Sequence, residues 1–154
     1  MLIDLNKNEV VLTDSTLPSS VVIQEGIRSI GNGAFRGRSI SQILLPSSLE
    51  QIGAAAFENC TLSSIQLPQS VTTIGKIAFQ QCQKLRSVTL PDSLTEVGID
   101  AFFGCRLSLL CIPPELHMRE FDEGSNEFAI EANSNTTQNL GLESVDTSLN
   151  YAGS

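Results

Sequence analysis

The chain has 154 residues, 41% of them hydrophobic, and a formal net charge of -8. That size and apolar content suit one folded domain, and no stretch approaches the roughly 20 consecutive apolar residues a membrane-spanning helix needs. The charge is lopsided: residues 1–114 hold nine acids and eight bases, whereas residues 115–154 hold eight acids and only Arg119. Neither part offers the concentrated basic face with which a nucleic-acid binder displaces counterions from phosphates, so DNA and RNA are set aside.

At the N-terminus, MLIDLNKNEVVLTD lacks the basic patch and long apolar segment of a secretory leader. A chain complete as written is expected in the cytoplasm, and one that has lost a leader at the cell surface or outside the cell. Within residues 1–22, EVVLTD and SSVVI alternate well enough to predict one or two short strands. They are expected to cap the open end of the segment that begins at residue 23.

Residues 23–114 repeat themselves. LPSSLEQIGAAAFENC (45–60) returns as LPQSVTTIGKIAFQQC (67–82) and as LPDSLTEVGIDAFFGC (90–105), and IQEGIRSIGNGAFRGR (23–38) fits the same frame. Self-similarity at 20 to 30 residues is the mark of a solenoid, in which stacked units share one continuous core. Each unit opens with a short strand whose alternation turns Ile43/Leu45, Ile65/Leu67, Val88/Leu90 and Leu110/Ile112 inward. Pro46, Pro68, Pro91 or Pro113 then ends it, because proline cannot donate to a ladder.

A second short extended piece is expected at Leu49/Ile52, Val71/Ile74 and Leu94/Val97. The glycine that follows, Gly31, Gly53, Gly75 or Gly98, is expected to take a positive φ at a turn. Next come Ala34-Phe35, Ala56-Phe57, Ala78-Phe79 and Ala101-Phe102, predicting four phenylalanines stacked along the axis. Cys60, Cys82 and Cys105 share one position in the unit, which predicts a buried ladder of small apolar thiols.

Beyond the repeats, residues 115–132 carry scattered apolar side chains (Leu116, Met118, Phe121, Phe128, Ile130) that can fold back as a C-terminal cap. Residues 133–154 are polar, acidic and aperiodic, which predicts disorder.

The unit LRSVTLPDSLTEVGIDAFFGC (85–105) resembles the BspA-type leucine-rich repeat, L-x-x-V-x-L-P-x-S-L/V-x-x-I-G-x-x-A-F-x-x-C, over about residues 20–113. The resemblance implies a mostly β member of the α/β leucine-rich-repeat class, a right-handed solenoid of about four repeats with one short parallel strand per 22–23-residue repeat. It also implies use by surface-exposed, secreted and some intracellular proteins in binding proteins or host matrix components, without shared catalytic residues. The linker after the cysteine position is one residue longer at Cys82–Leu85 than in the other units.

Chemistry has few players here. The single histidine, His117, lies outside the repeats, no C-x-x-C occurs, and no Ser/His/Asp or Cys/His set falls among the repeats. No catalytic centre, metal or cofactor is expected. GNGAFRG (31–37) lacks the lysine of a phosphate loop. Glu50, Glu58, Glu96 and Asp100 are expected on the solvated surface.

What remains is the outward stripe of the repeat strands: Gln42, Leu44, Ser64, Gln66, Ser87, Thr89, Leu109 and Cys111. Such positions vary without touching the core and form the candidate surface for a protein or peptide partner. A merely solvated sheet face accounts for the same pattern, and no aromatic anchor is present. The chain is expected to be a monomer or part of a longer chain, either a non-catalytic interaction scaffold or a spacer or adhesin segment of a larger surface protein.

Overall fold

A computed structural model describes residues 2–12, 16–111, 117–118, 127–128 and 130–131. The expectations for Ile112, Pro113, Leu116, Phe121 and residues 133–154 lie outside them, as do the side chains of Leu109, Cys111, Met118, Phe128 and Ile130. The described residues form fourteen short strands: β1 (Leu2–Asp4), β2 (Glu9–Leu12), β3 (Ser20–Val22), β4 (Ser29–Ile30), β5 (Gln42–Leu44), β6 (Gln51–Ile52), β7 (Ser64–Gln66), β8 (Thr73–Ile74), β9 (Ser87–Thr89), β10 (Glu96–Gly98), β11 (Leu109–Cys111), β12 (His117–Met118), β13 (Glu127–Phe128) and β14 (Ile130–Glu131).

These strands stack as a solenoid whose coils have three sides. One side is built of β3, β5, β7, β9 and β11, the first four ending at the corners where Gln24, Pro46, Pro68 and Pro91 stand. Here β3 and β5 pair in parallel, as do β7, β9 and β11, and Ser63 N–H donates to the Ser41 carbonyl at 3.3 Å to set β7 beside β5. The second side is a seven-stranded sheet in the order β1-β2-β4-β6-β8-β10-β13. Its inner five strands run parallel and in strict register, while β1 and β13 pair antiparallel at its two margins. β12 and β14 form a separate antiparallel pair.

The third side carries the Ala-Phe step and is a ladder of turns. Alternate N–H groups point to the next coil, as Phe35 to Ala56, Phe57 to Ala78 and Phe79 to Ala101 at 2.8, 2.7 and 2.7 Å. The intervening ones close turns three residues back, as Ala56 to Gly53 at 3.3 Å. Every coil thus satisfies its backbone through its neighbours, which is why no single unit is stable alone.

Inside, Phe35, Phe57, Phe79 and Phe102 stack with ring centroids 5.2 Å apart and planes within 8° of parallel. Leucines, isoleucines and valines from the two sheets close around them. Cys60 and Cys82 are buried and Cys105 half-buried, and each thiol donates to a phenylalanine carbonyl of the preceding coil at 2.9 to 3.1 Å.

Two expectations need correcting. None of Gly31, Gly53, Gly75 or Gly98 has a positive φ. They are glycines because the coils approach too closely for a side chain: a Cβ on Gly53 would lie 2.7 Å from the Asn32 nitrogen. The positive φ angles fall two and six residues later, at Gly33, Ala55, Ile77 and Asp100 (64°, 55°, 51° and 55°) and at Gly37, Asn59, Gln81 and Gly104 (69°, 57°, 59° and 74°). Second, Glu58 is half-buried rather than freely solvated, with Arg36 of the preceding coil reaching it at 2.9 Å, whereas Glu50 stays at the surface, paired with Arg28 at 3.0 Å.

Candidate functional site

Hydroxyl and amide groups fall into two sets. At the corners they join coils: Ser48 donates to the Ile27 carbonyl at 2.8 Å, and Ser70 and Ser93 to Leu49 and Val71 at 2.6 Å. Thr61, Thr72 and Thr95 do the same elsewhere in the coil. Glu25 accepts from both the N–H and the hydroxyl of Ser47 at 2.9 and 3.1 Å, which holds its carboxyl below its ordinary value. These groups are spent on the fold.

The second set forms no side-chain hydrogen bond among the described residues, and two faces gather several of its members in register. The first is the stripe anticipated from the sequence. Gln42, Leu44, Ser64, Gln66 and Thr89 are exposed and Ser87 is half-buried. Register aligns Ser64 with Ser87 and Gln66 with Thr89, and the backbones of Leu109 and Cys111 continue both rows.

Two members of this stripe were not foreseen. Ser20 pairs with Gln42 and Val22 with Leu44, so β3 is the first strand of the stripe. Val22 and Leu44 are 61% and 64% exposed, and this adjoining pair is the stripe's one described apolar patch. Val22 precedes Leu44 by one repeat length, a signal available in the sequence.

The second face went unpredicted. A groove of about 690 Å³ runs across the seven-stranded sheet. Its floor is a register row of Glu9, Ser29, Gln51, Thr73 and Glu96, one residue from each inner strand. The neighbouring residues Val10, Ile30, Ile52, Ile74 and Val97 point the other way, into the core. Gly31, Gly53, Gly75 and Gly98 line the groove beyond them, with Lys76 on the far rim. The two-residue strands β4, β6 and β8 are too short for alternation to show, which hid this face from sequence reading.

The buried thiols are chemically unequal. Burial pushes the Cys60 thiol up to about 12. Cys82 is raised by the neighbouring Cys105 thiol and by burial, and the same neighbouring pair lowers Cys105. Among the described residues no group of three or more His, Cys, Asp or Glu is placed to hold a metal ion.

The family model described as the BspA type leucine rich repeat region matches residues 12–127 in six copies. No curated protein matches. Among solved structures, a leucine-rich repeat protein from Bacteroides ovatus is 31% identical with a TM-score of 0.54, the match covering 64% of this chain and 32% of that one. The pneumococcal vaccine antigen PcpA is 25% identical with a TM-score of 0.55, covering 66% and 35%. A leucine-rich repeat protein from Bacteroides capillosus shares the fold, with 22% identity, a TM-score of 0.59 and coverage of 70% and 90%. The chain spans about a third of the length of the pneumococcal antigen.

Proposed function

The chain belongs to the BspA-type leucine-rich-repeat family, and from that premise we propose that it is a non-catalytic scaffold that binds a protein or peptide partner through the stripe on β3, β5, β7, β9 and β11. The observation that carries this is the split between spent and unspent polar groups. Corner serines and threonines are tied into the coil stack, whereas Gln42, Ser64, Gln66, Ser87 and Thr89 keep their hydrogen-bonding capacity beside the exposed Val22 and Leu44. A rigid sheet that presents unpaired polar groups around a small apolar patch has the anatomy of a modest recognition surface. Membrane insertion and nucleic-acid binding form no part of this function.

A second reading is a segment of a larger surface protein whose repeats extend an adhesive or spacing stalk. It is favoured by the similarity to PcpA, a vaccine antigen of which the match covers only 35%. One experiment separates the two. The full chain and its Gln66→Arg/Thr89→Arg variant are used as bait against cytosol and, separately, extracellular medium. A saturable partner retained by the parent and lost by the variant, at unchanged melting temperature, supports the recognition surface. Equal capture by both moves the site off the stripe, and no saturable capture favours the stalk.

A further inference from the structure

The groove on the seven-stranded sheet is a second face, separate from the stripe, and its charges have a definite arrangement. Glu9 and Glu96 stand at the two ends of one register row, and between them lie only the uncharged Ser29, Gln51 and Thr73. Neither carboxylate has a hydrogen-bond or ion-pair partner among the described residues. That contrasts with Glu25, Glu50 and Glu58, each engaged by the neighbouring coil. The remaining charged residue of the lining, Lys76, lies on the far rim across the glycine row.

We propose that this groove binds an extended peptide lying across the strands, with two basic side chains placed to meet Glu9 and Glu96. The spacing follows from elementary dimensions. Four strand-to-strand steps of about 4.8 Å separate the carboxylate-bearing positions by about 19 Å, and an extended chain advances about 3.3 Å per residue. The two cations therefore stand about six residues apart on the ligand. Between them, Ser29, Gln51 and Thr73 offer donors and acceptors to the peptide backbone, which replaces the water they bind in the free protein.

No deep apolar pocket lines the groove, since the side chains between its ends are polar and the isoleucines beneath them face the core. Binding is therefore electrostatic and weakens with salt as the exposed charges are screened. The site does not depend on the stripe, and the stripe variant serves as its internal control.

The test is a titration of the ¹⁵N-labelled full chain, at low ionic strength, with synthetic peptides that carry two arginines separated by one, three, five or eight Ser/Thr residues. The expected result is saturable shifts at the amides of Ser29, Gln51 and Thr73 and tightest binding at five intervening residues. Glu9→Gln and Glu96→Gln each weaken that peptide roughly two- to fivefold, in the range measured for exposed charge pairs, whereas Glu25→Gln and Gln66→Arg/Thr89→Arg leave it unchanged. The proposal is overturned if affinity is indifferent to the spacing, if neither groove variant weakens it, if the shifts map to Ser64 and Gln66 instead, or if no peptide saturates. Loss of partner capture by the stripe variant with peptide binding intact would keep the two faces distinct.

Discussion

The α-carbon of Gly75 sits against the backbone of Ala54 in the coil before it, so close that a methyl group there would lie 2.5 Å from the Ala54 nitrogen. Neighbouring coils meet main chain to main chain at this row, and the Gly75 N–H to Ile52 carbonyl bond of 2.8 Å seals the contact. Because both sides of the clash are backbone, neither yields by a rotamer change. Gly75→Ala is therefore expected to destabilise the chain by about 1 to 3 kcal/mol, the usual scale for overpacking. Gly26 supplies the contrast, since its φ is 93° and a Cβ there meets nothing within 4 Å. Urea denaturation should show that Gly26→Ala costs only the backbone penalty of about 1 to 2 kcal/mol, with unchanged local packing. If Gly75→Ala proves neutral, the coils are not held at the spacing described.

The phenylalanine spine is expected to dominate stability. Phe79 is fully buried between Phe57 and Phe102, so Phe79→Ala removes two ring contacts and leaves a cavity in the middle of the stack. A loss of about 3 to 5 kcal/mol is expected from the precedent of buried aromatic truncations, read as a lower denaturation midpoint. A loss below about 1 kcal/mol would show that the stack contributes little.

Much of this was legible in the sequence, for a physical reason. The Phe spine, the thiol ladder and the inward Ile65/Leu67 and Val88/Leu90 pairs are set by burial, which the repeating apolar positions record directly. The glycine row was found but misassigned, because glycine serves both positive φ and close approach, and only the neighbouring coil's position decides which. The groove row from Glu9 to Glu96 left no apolar signature, since its members are polar residues on strands of two or three residues. The Arg28–Glu50 and Arg36–Glu58 pairs lie one repeat apart, a distance that single-segment reading does not connect.

The turn side carries strain that substitution can relieve. Ile77 has a φ of 51° at the position where the first coil has Gly33, at 64°. A β-branched residue in the left-handed region is a steric outlier, while asparagine tolerates it through local hydrogen bonding. Ile77→Asn is expected to raise stability by up to about 1 kcal/mol despite the loss of a half-buried side chain, and Gly33→Ile to lower it by about 1 to 2 kcal/mol. Paired denaturation curves check both signs. A destabilising Ile77→Asn would mean that the packing of Ile77 outweighs its backbone strain.

The thiol ladder makes a pH prediction whose direction is fixed by linkage. Burial raises the Cys60 thiol from 9.0 to about 12 in the folded chain, and Cys82 is also raised. In the unfolded chain both ionise near the ordinary value. Above that pH the unfolded state has lost protons that the folded state retains, so stability falls as pH rises. The contribution is intact below about 9 and is withdrawn progressively between about 9 and 12. Cys105 behaves oppositely, because the neighbouring Cys82 thiol lowers it. In the folded protein it should react with iodoacetamide ahead of Cys60 and Cys82, which become accessible only on unfolding. Peptide mass spectrometry after timed alkylation at a pH near 8 reads the order. Denaturation curves of the parent and a Cys60→Ala/Cys82→Ala variant, compared from pH 7 to 11, read the linkage. The parent should lose stability across the alkaline half of that range and the variant should lose less; parallel curves would place these thiols in contact with water.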